Sequence, residues 1–213
     1  MNNHPAIVFF IGVCTEPEHL CFITKYYPKG SAFDLLIKEK LNVDWKLIVK
    51  IAKDAASGIY HLHKERVVHC DIAARNILIT EDWSGCVGDF GMSRVKKKLE
   101  NKQLTSQPSV EGPIRWMAPE LLKSSDQYSF QSDAWSFGVA LWEFIARDKP
   151  YKELSREQVR DFVLSGGTPS IPIDCPDVFS NIMRDCWKPA PNRPSFDRIW
   201  KRLHDYYCAL CSL

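Results

Sequence analysis

The chain has 213 residues, 45% of them apolar and 25% charged, with 28 Lys and Arg against 26 Asp and Glu for a formal net charge of +2. That is enough chain for one large core or two small ones, and the composition excludes a disordered or fibrous polypeptide. A near-neutral balance without a long basic stripe gives no reason to invoke a nucleic acid partner.

The first apolar run, residues 6–14, has no basic region ahead of it and is far too short to span a membrane, so it reads as a strand. Residues 7–13 and 20–25 are β-rich runs on either side of Thr15-Glu16-Pro17-Glu18, a polar turn that predicts a hairpin. After Pro28-Lys29-Gly30 the pattern becomes helical, first over 32–40 and then in a long segment from Asp44. In that segment Leu47, Ile51, Ala55, Ile59 and Leu62 recur on one face and predict a core stripe. Short β-type runs follow at 67–68, 77–79 and 86–88. Residues 101–112 are polar and aperiodic, which predicts a mobile surface loop, and Lys96-Lys97-Lys98 reads as a solvated face. The remainder predicts helices over 130–146, 156–164, 178–186 and 195–207. The first of these is apolar on most sides and central; the last has Ser195 as its cap and Phe196, Ile199, Trp200 and Leu203 at helical spacing.

Of the eight cysteines, Cys14, Cys21, Cys70, Cys86, Cys175 and Cys186 fall in no repeating frame, which reads as reduced thiols in a cytoplasmic setting. Cys208 and Cys211 form a C-x-x-C, but without a second pair they predict neither a zinc site nor a redox site. The final Leu-Cys-Ser-Leu does not place cysteine where a prenylation box needs it.

The chemistry concentrates in residues 68–89. Asp71, Asn76 and Asp89 offer two carboxylates and an amide separated by apolar, strand-like runs, which suits a magnesium-phosphate site. An Asp or Asn in a turn is ordinarily a local cap, so the surrounding order of residues has to decide. That order is His69-Cys70-Asp71-Ile72-Ala73-Ala74-Arg75-Asn76, then Asp89-Phe90-Gly91, then Ala118-Pro119-Glu120, with thirteen residues from Asn76 to Asp89 and thirty-one from Asp89 to Glu120. It resembles the ordered signature set of eukaryotic protein kinases, H-R-D-L-x-x-x-N, D-F-G and A-P-E, and Asp133-Ala134-Trp135-Ser136-Phe137-Gly138 and Arg193-Pro194-Ser195-Phe196 extend the resemblance over essentially the whole chain.

The resemblance implies a mainly α fold, α+β overall: a kinase-like large helical lobe preceded by a partial small lobe. Residues 1–25 would be the remnant hairpin of the small lobe, 26–30 the hinge, 31–207 the large lobe and 208–213 a tail. It implies ATP and Mg²⁺ as cofactors and a protein as substrate. Asp71 is then the group that orients or accepts the hydroxyl proton, Asn76 and Asp89 the metal ligands, and Gly91 the point where the backbone turns away. Thr24, Lys25, Tyr26 and Tyr27 resemble the gatekeeper and hinge against which adenine lies, with Leu78 as its apolar floor. His69 and Phe90 resemble members of the hydrophobic column of active kinases, with Phe10 as a strand neighbour. Glu120 is expected to pair with Arg193, and Asp133 to receive backbone N–H groups of the catalytic loop.

The acceptor hydroxyl is read from the same stretch. Serine/threonine kinases carry a lysine two residues after the catalytic aspartate, whereas this chain has Ala73 there and Arg75 further on, as tyrosine kinases do. Pro113-Ile114-Arg115-Trp116 resembles the tyrosine-kinase substrate loop. Gly112, the run from Trp116 to Glu120 and the strands near Gly12-Val13-Cys14 also fit the tyrosine-kinase-like serine/threonine group, which stays as the alternative. Two departures qualify the resemblance. Cys70 replaces the arginine that anchors a phosphorylated activation loop, and between Asp89 and Glu120 only Ser93, Thr105, Ser106 and Ser109 offer hydroxyls, so activity independent of loop phosphotyrosine is expected. The glycine-rich loop, the strand lysine and the helix glutamate that precede this region in a kinase are also absent from the 213 residues. The chain alone is therefore expected to transfer phosphate negligibly, either as part of a longer kinase with a membrane anchor upstream left open, or as an inactive remnant that serves as a binding module.

Overall fold

A computed structural model describes residues 4–16, 18–95, 113–124 and 127–212. Pro17, Lys96-Lys97-Lys98, the expected loop at 101–112 and the hydroxyls of Thr105, Ser106 and Ser109 lie outside the described residues. Strands β1 (Phe10–Cys14) and β2 (Cys21–Thr24) form an antiparallel hairpin with Val13 opposite Phe22 and an irregularity between Phe10 and Gly12. The strand expected from residue 7 starts later, because Ile7 leaves the hairpin to bridge Val87 while Val8 N–H donates to Val87 O at 2.9 Å. The hairpin is solvent-facing, with Phe22 78% exposed. It rests on the rest of the molecule through Val8 and Tyr27, which pack with Cys86 and Leu78.

The helix expected over 32–40 is short and wide, with π-type bonding over Asp34–Lys38 in which Glu39 N–H donates to Asp34 O at 2.8 Å. Ser31 and Asp34 close its start, Ser31 N–H and Oγ donating to Asp34 Oδ2 at 3.0 and 2.6 Å and Asp34 N–H to Ser31 Oγ at 3.2 Å. Helix α1 (Trp45–Lys64) begins where Asp44 accepts from Leu47 N–H at 2.8 Å, an ordinary N-cap. Its buried face is wider than the fourfold stripe in the sequence and takes in Ile48, Val49, Ala52 and Ala56, because β5 (Gly85–Val87) and α6 (Phe196–Cys211) both pack on it. Gly58 belongs to that face. A Cβ there would lie 2.3 Å from the Ala6 carbonyl oxygen, so only glycine lets the N-terminal segment lie on the helix.

Four strands of two or three residues, in two pairs, carry the site. β3 (Val67–Val68) pairs antiparallel with β6 (Arg94–Val95), and β4 (Ile77–Ile79) pairs antiparallel with β5, Ile77 opposite Val87. β6 gives no signal in the sequence, since two residues paired to a distant partner have no period to detect.

Beyond the site the chain is helical: α2 (Pro119–Lys123), α3 (Phe130–Ala146), α4 (Arg156–Leu164) and α5 (Asp177–Cys186) precede α6. Helix α3 is the axis of the core. Ser129 and Ser132 form a reciprocal capping box at its start, and Arg147 ends it in the left-handed region with φ 50°. Phe137 and Phe144 are fully buried, and Phe137 meets Phe196 of α6 edge-on at 5.2 Å. Each such side chain contributes about 1.5–3 kcal/mol by burial. Two expectations for α6 are corrected. Ser195 occupies the N-cap position but its side chain accepts no capping bond, and the helix runs past Tyr207 to Cys211, so the exposed Cys208 and Cys211 are helical. No helix among the described residues is long and apolar enough to cross a membrane.

Candidate active site

The site is built where the loop between β3 and β4 folds back onto the start of α3. Asp133 on α3 is buried and is held by three groups from that loop and α1: His69 N–H reaches its Oδ2 at 2.8 Å, Cys70 N–H its Oδ1 at 3.0 Å, and His63 Nε2 lies 2.8 Å from Oδ2. These bonds hold Cys70 at φ 70°, a left-handed conformation that a residue with a Cβ adopts only when its surroundings impose it. His69 is wholly buried. Its Nδ1 accepts from Asp71 N–H at 3.3 Å and its Nε2 faces Gly88 O at 2.9 Å, so the tautomer with the proton on Nε2 satisfies both. The Phe90 ring sits 5.4 Å from the imidazole, whereas Phe10 meets Phe22 at 6.4 Å across the hairpin.

Asp71 is fixed on both oxygens. Arg75 Nη2 donates to Oδ1 at 2.5 Å, and Asn76 Nδ2 donates to Oδ2 at 2.8 Å and to the Asp71 carbonyl at 2.7 Å. The residue is only 9% exposed, so the carboxylate is presented in one orientation. The β4–β5 ribbon positions the second acid: Gly88 N–H donates to Asn76 O at 2.9 Å, which sets Asn76 and Asp89 at the same end of the ribbon. Asp89 is exposed, has φ 57° and accepts from Gly91 N–H at 3.2 Å through Oδ1. A hard carboxylate oxygen and a neutral amide oxygen are the donor types that Mg²⁺ takes when phosphates and water complete its shell.

On the hinge side, Thr24 pairs with Phe10, Lys25 N–H donates to Phe9 O at 2.9 Å, and Phe9 N–H donates to Tyr27 Oη at 3.2 Å. Tyr26 is 81% exposed, and Leu78 lies beneath the segment beside Tyr27 and Cys86. Ile79 N–H donates to Gly30 O at 2.9 Å, which ties the hinge to β4.

Residues 113–116 form the opposite wall. Pro113 leads into a 3-10 turn over Ile114–Trp116. Arg115 locks that turn by donating to the carbonyls of Pro150 at 2.9 Å, Leu154 at 2.7 Å and Tyr151. The Trp116 ring stacks beneath the Arg75 guanidinium at 4.6 Å, so the arginine that holds Asp71 also touches the turn. Further back, Glu120 and Arg193 form a bidentate pair at 2.6 and 2.9 Å, and Arg193 also donates to the carbonyls of Lys188 and Gln131. Ser93 Oγ donates to His69 O at 3.2 Å.

Two contributors are missed by sequence reasoning. His63 completes the Asp133 cluster from the last turn of α1, and nothing in the sequence marks it. Glu143 is buried inside α3 and accepts from Ala74 N–H at 2.9 Å and Trp116 Nε1–H at 2.8 Å. An acid within an otherwise apolar helix was the available signal, since such residues are rarely buried without partners.

The family model for protein tyrosine and serine/threonine kinases matches residues 1–203. Human tyrosine-protein kinase Fer is 38% identical over 203 residues, which cover 94% of this chain and 24% of that protein. Two Dictyostelium discoideum proteins, the probable serine/threonine-protein kinases drkD and pats1, are each 34% identical, covering 92% and 94% of this chain but 15% and 6% of their own lengths. The chain thus spans less than a quarter of the length of these relatives. With nearly its whole length matched, the chain belongs to the protein tyrosine and serine/threonine kinase family.

Proposed function

We propose that this chain carries the base-and-metal half of a kinase site that transfers the γ-phosphate of ATP to a protein tyrosine. The observation that supports it most directly is the clamping of Asp71 between Arg75 and Asn76, at the ribbon end that also carries Asp89. Phosphoryl transfer asks the protein for alignment and charge stabilisation more than for covalent chemistry. In this reading Asp71 orients the acceptor hydroxyl and takes its proton as the oxygen bonds to the γ-phosphorus and ADP leaves. Asn76 and Asp89 hold Mg²⁺, which when bound neutralises the phosphate oxygens. Thr24, Lys25, Tyr26 and Tyr27, with Leu78 beneath, receive the adenine, and Pro113, Ile114, Arg115 and Trp116 support the substrate.

The acceptor is read from the contact between Arg75 and Trp116. With Ala73 in place of a phosphate-reaching lysine, the arginine works across the loop, and its stacking on Trp116 shapes a flat apolar shelf that suits a phenol. Similarity to drkD favours a second reading, transfer to serine or threonine. Phosphoamino-acid analysis of a degenerate peptide library, treated with Mg²⁺, ATP and the protein expressed from its natural gene, decides between them. Phosphotyrosine is the expected product; phosphoserine or phosphothreonine alone overturns the tyrosine reading.

A further inference from the structure

Glu143 lies in the last turn of α3 and is 1% exposed, and the reading above gives it no part in the transfer. One oxygen, Oε2, accepts two donors from two different loops: Ala74 N–H at 2.9 Å, between Asp71 and Asn76, and Trp116 Nε1–H at 2.8 Å, in the substrate turn. Ser136, two helical turns further toward the start of α3, adds a second tie by donating from Oγ to Trp116 O at 2.7 Å. The other carboxyl oxygen, Oε1, is buried with no hydrogen-bond partner among the described residues.

We propose that Glu143 is a positioning residue that holds the catalytic loop in register with the substrate turn, and that its ionisation sets how firmly the two are joined. The inference rests on the reading of Asp71 and residues 113–116 as the place of transfer.

A single acceptor shared by both loops fixes their spacing as no pair of separate bonds would. When the carboxylate is ionised both bonds are charge-assisted, which makes them about twice as strong as neutral ones. A proton has one place to go that breaks neither bond, and that is Oε1. Burial pushes the Glu143 carboxyl up to about 7, against the lowering pull of the Ala74 and Trp116 bonds and the Arg75 charge, so the two states exchange near neutrality. The charged groups that face it are these. From the catalytic loop come Arg75, which favours the anion, and Asp71, which opposes it. On the substrate turn Arg115 is directed away, onto the carbonyls of Pro150, Tyr151 and Leu154. On α3 itself Asp133 is taken up by His63 and the amides of His69 and Cys70.

The test reads loop coupling without turnover, so it can fail while the transfer reading stands, and the reverse. In the ¹⁵N-labelled 213-residue chain, the indole N–H of Trp116, assigned by its loss in W116F, and the backbone amide of Ala74 are followed across about two pH units either side of neutrality. Both resonances are expected to shift with one common midpoint near 7, and both to be flat in Glu143→Gln, whose carbonyl still accepts the two bonds. A Glu143 that keeps one charge state across this range would move neither. A flat resonance in the wild type, two different midpoints, or a shift that persists in E143Q overturns the proposal. Should E143Q fail to fold, the ¹³C carboxyl resonance of Glu143 in the wild type replaces it: a midpoint equal to that of the two N–H groups supports the coupling, and a different one overturns it.

Discussion

Cys70, beside Asp71, is held in surroundings that leave its side chain uncharged. Burial, reinforced by the Asp133 carboxylate, pushes its thiol up to about 12, so it is a neutral group at any physiological pH. Its place in the fold depends on its backbone: the amide is spent on Asp133, and the φ of 70° follows from that bond. Cys186 is pushed to about 12 by burial as well, and burial also raises Cys86, whose Sγ donates to Pro5 O at 3.1 Å. Cys21, Cys208 and Cys211 are exposed. Brief treatment of the native chain with iodoacetamide at mildly alkaline pH, read by peptide mass spectrometry, is therefore expected to label Cys21, Cys208 and Cys211 and to spare Cys70, Cys86 and Cys186. Rapid labelling of Cys70 would show that the Asp133 cluster is open in solution.

Between elements, the strongest single tie is the pair that joins α2 to the turn before α6. Arg193 is 7% exposed and reaches Glu120 with both nitrogens of its fork, the geometry that gives guanidinium its advantage over ammonium. Removing Glu120 leaves that cation buried with only the carbonyls of Lys188 and Gln131, and Glu120→Ala is expected to lower the unfolding free energy by about 3–5 kcal/mol, measured by urea denaturation. A change below about 1 kcal/mol would place the pair among ordinary surface bridges. The elements themselves differ in how plainly the sequence announces them. Helices α3 and α4 fall within the bounds their helical spacing predicts, whereas the 32–40 segment is shorter than its pattern and widens into π-type bonding over Asp34–Lys38. β6 is illegible, its partner Val67–Val68 lying far back in the chain. In the site, Asp71, Asn76 and Asp89 stand out by order and spacing. Glu143 does not, because a lone acid in a helix says nothing about which loops will fold against it.

At the scale of the molecule, α3 is both the centre of the core and the base of the site. Its first turn holds the loop between β3 and β4 through Asp133, its middle holds Trp116 through Ser136, and its last turn holds that loop and the turn at Ile114–Trp116 together through Glu143. A rigid buried helix is a precise foundation for groups whose chemistry depends on alignment. In the function proposed above, Asp71 does the proton work of transfer. Asp71→Asn keeps the size of the side chain and the place of its oxygen while removing the base. Steady-state kinetics of the protein expressed from its natural gene, wild type against D71N, tests this most directly. The account predicts a fall in kcat of about 10²–10⁴ with KM for ATP little changed. An undiminished kcat in a folded D71N protein would contradict it.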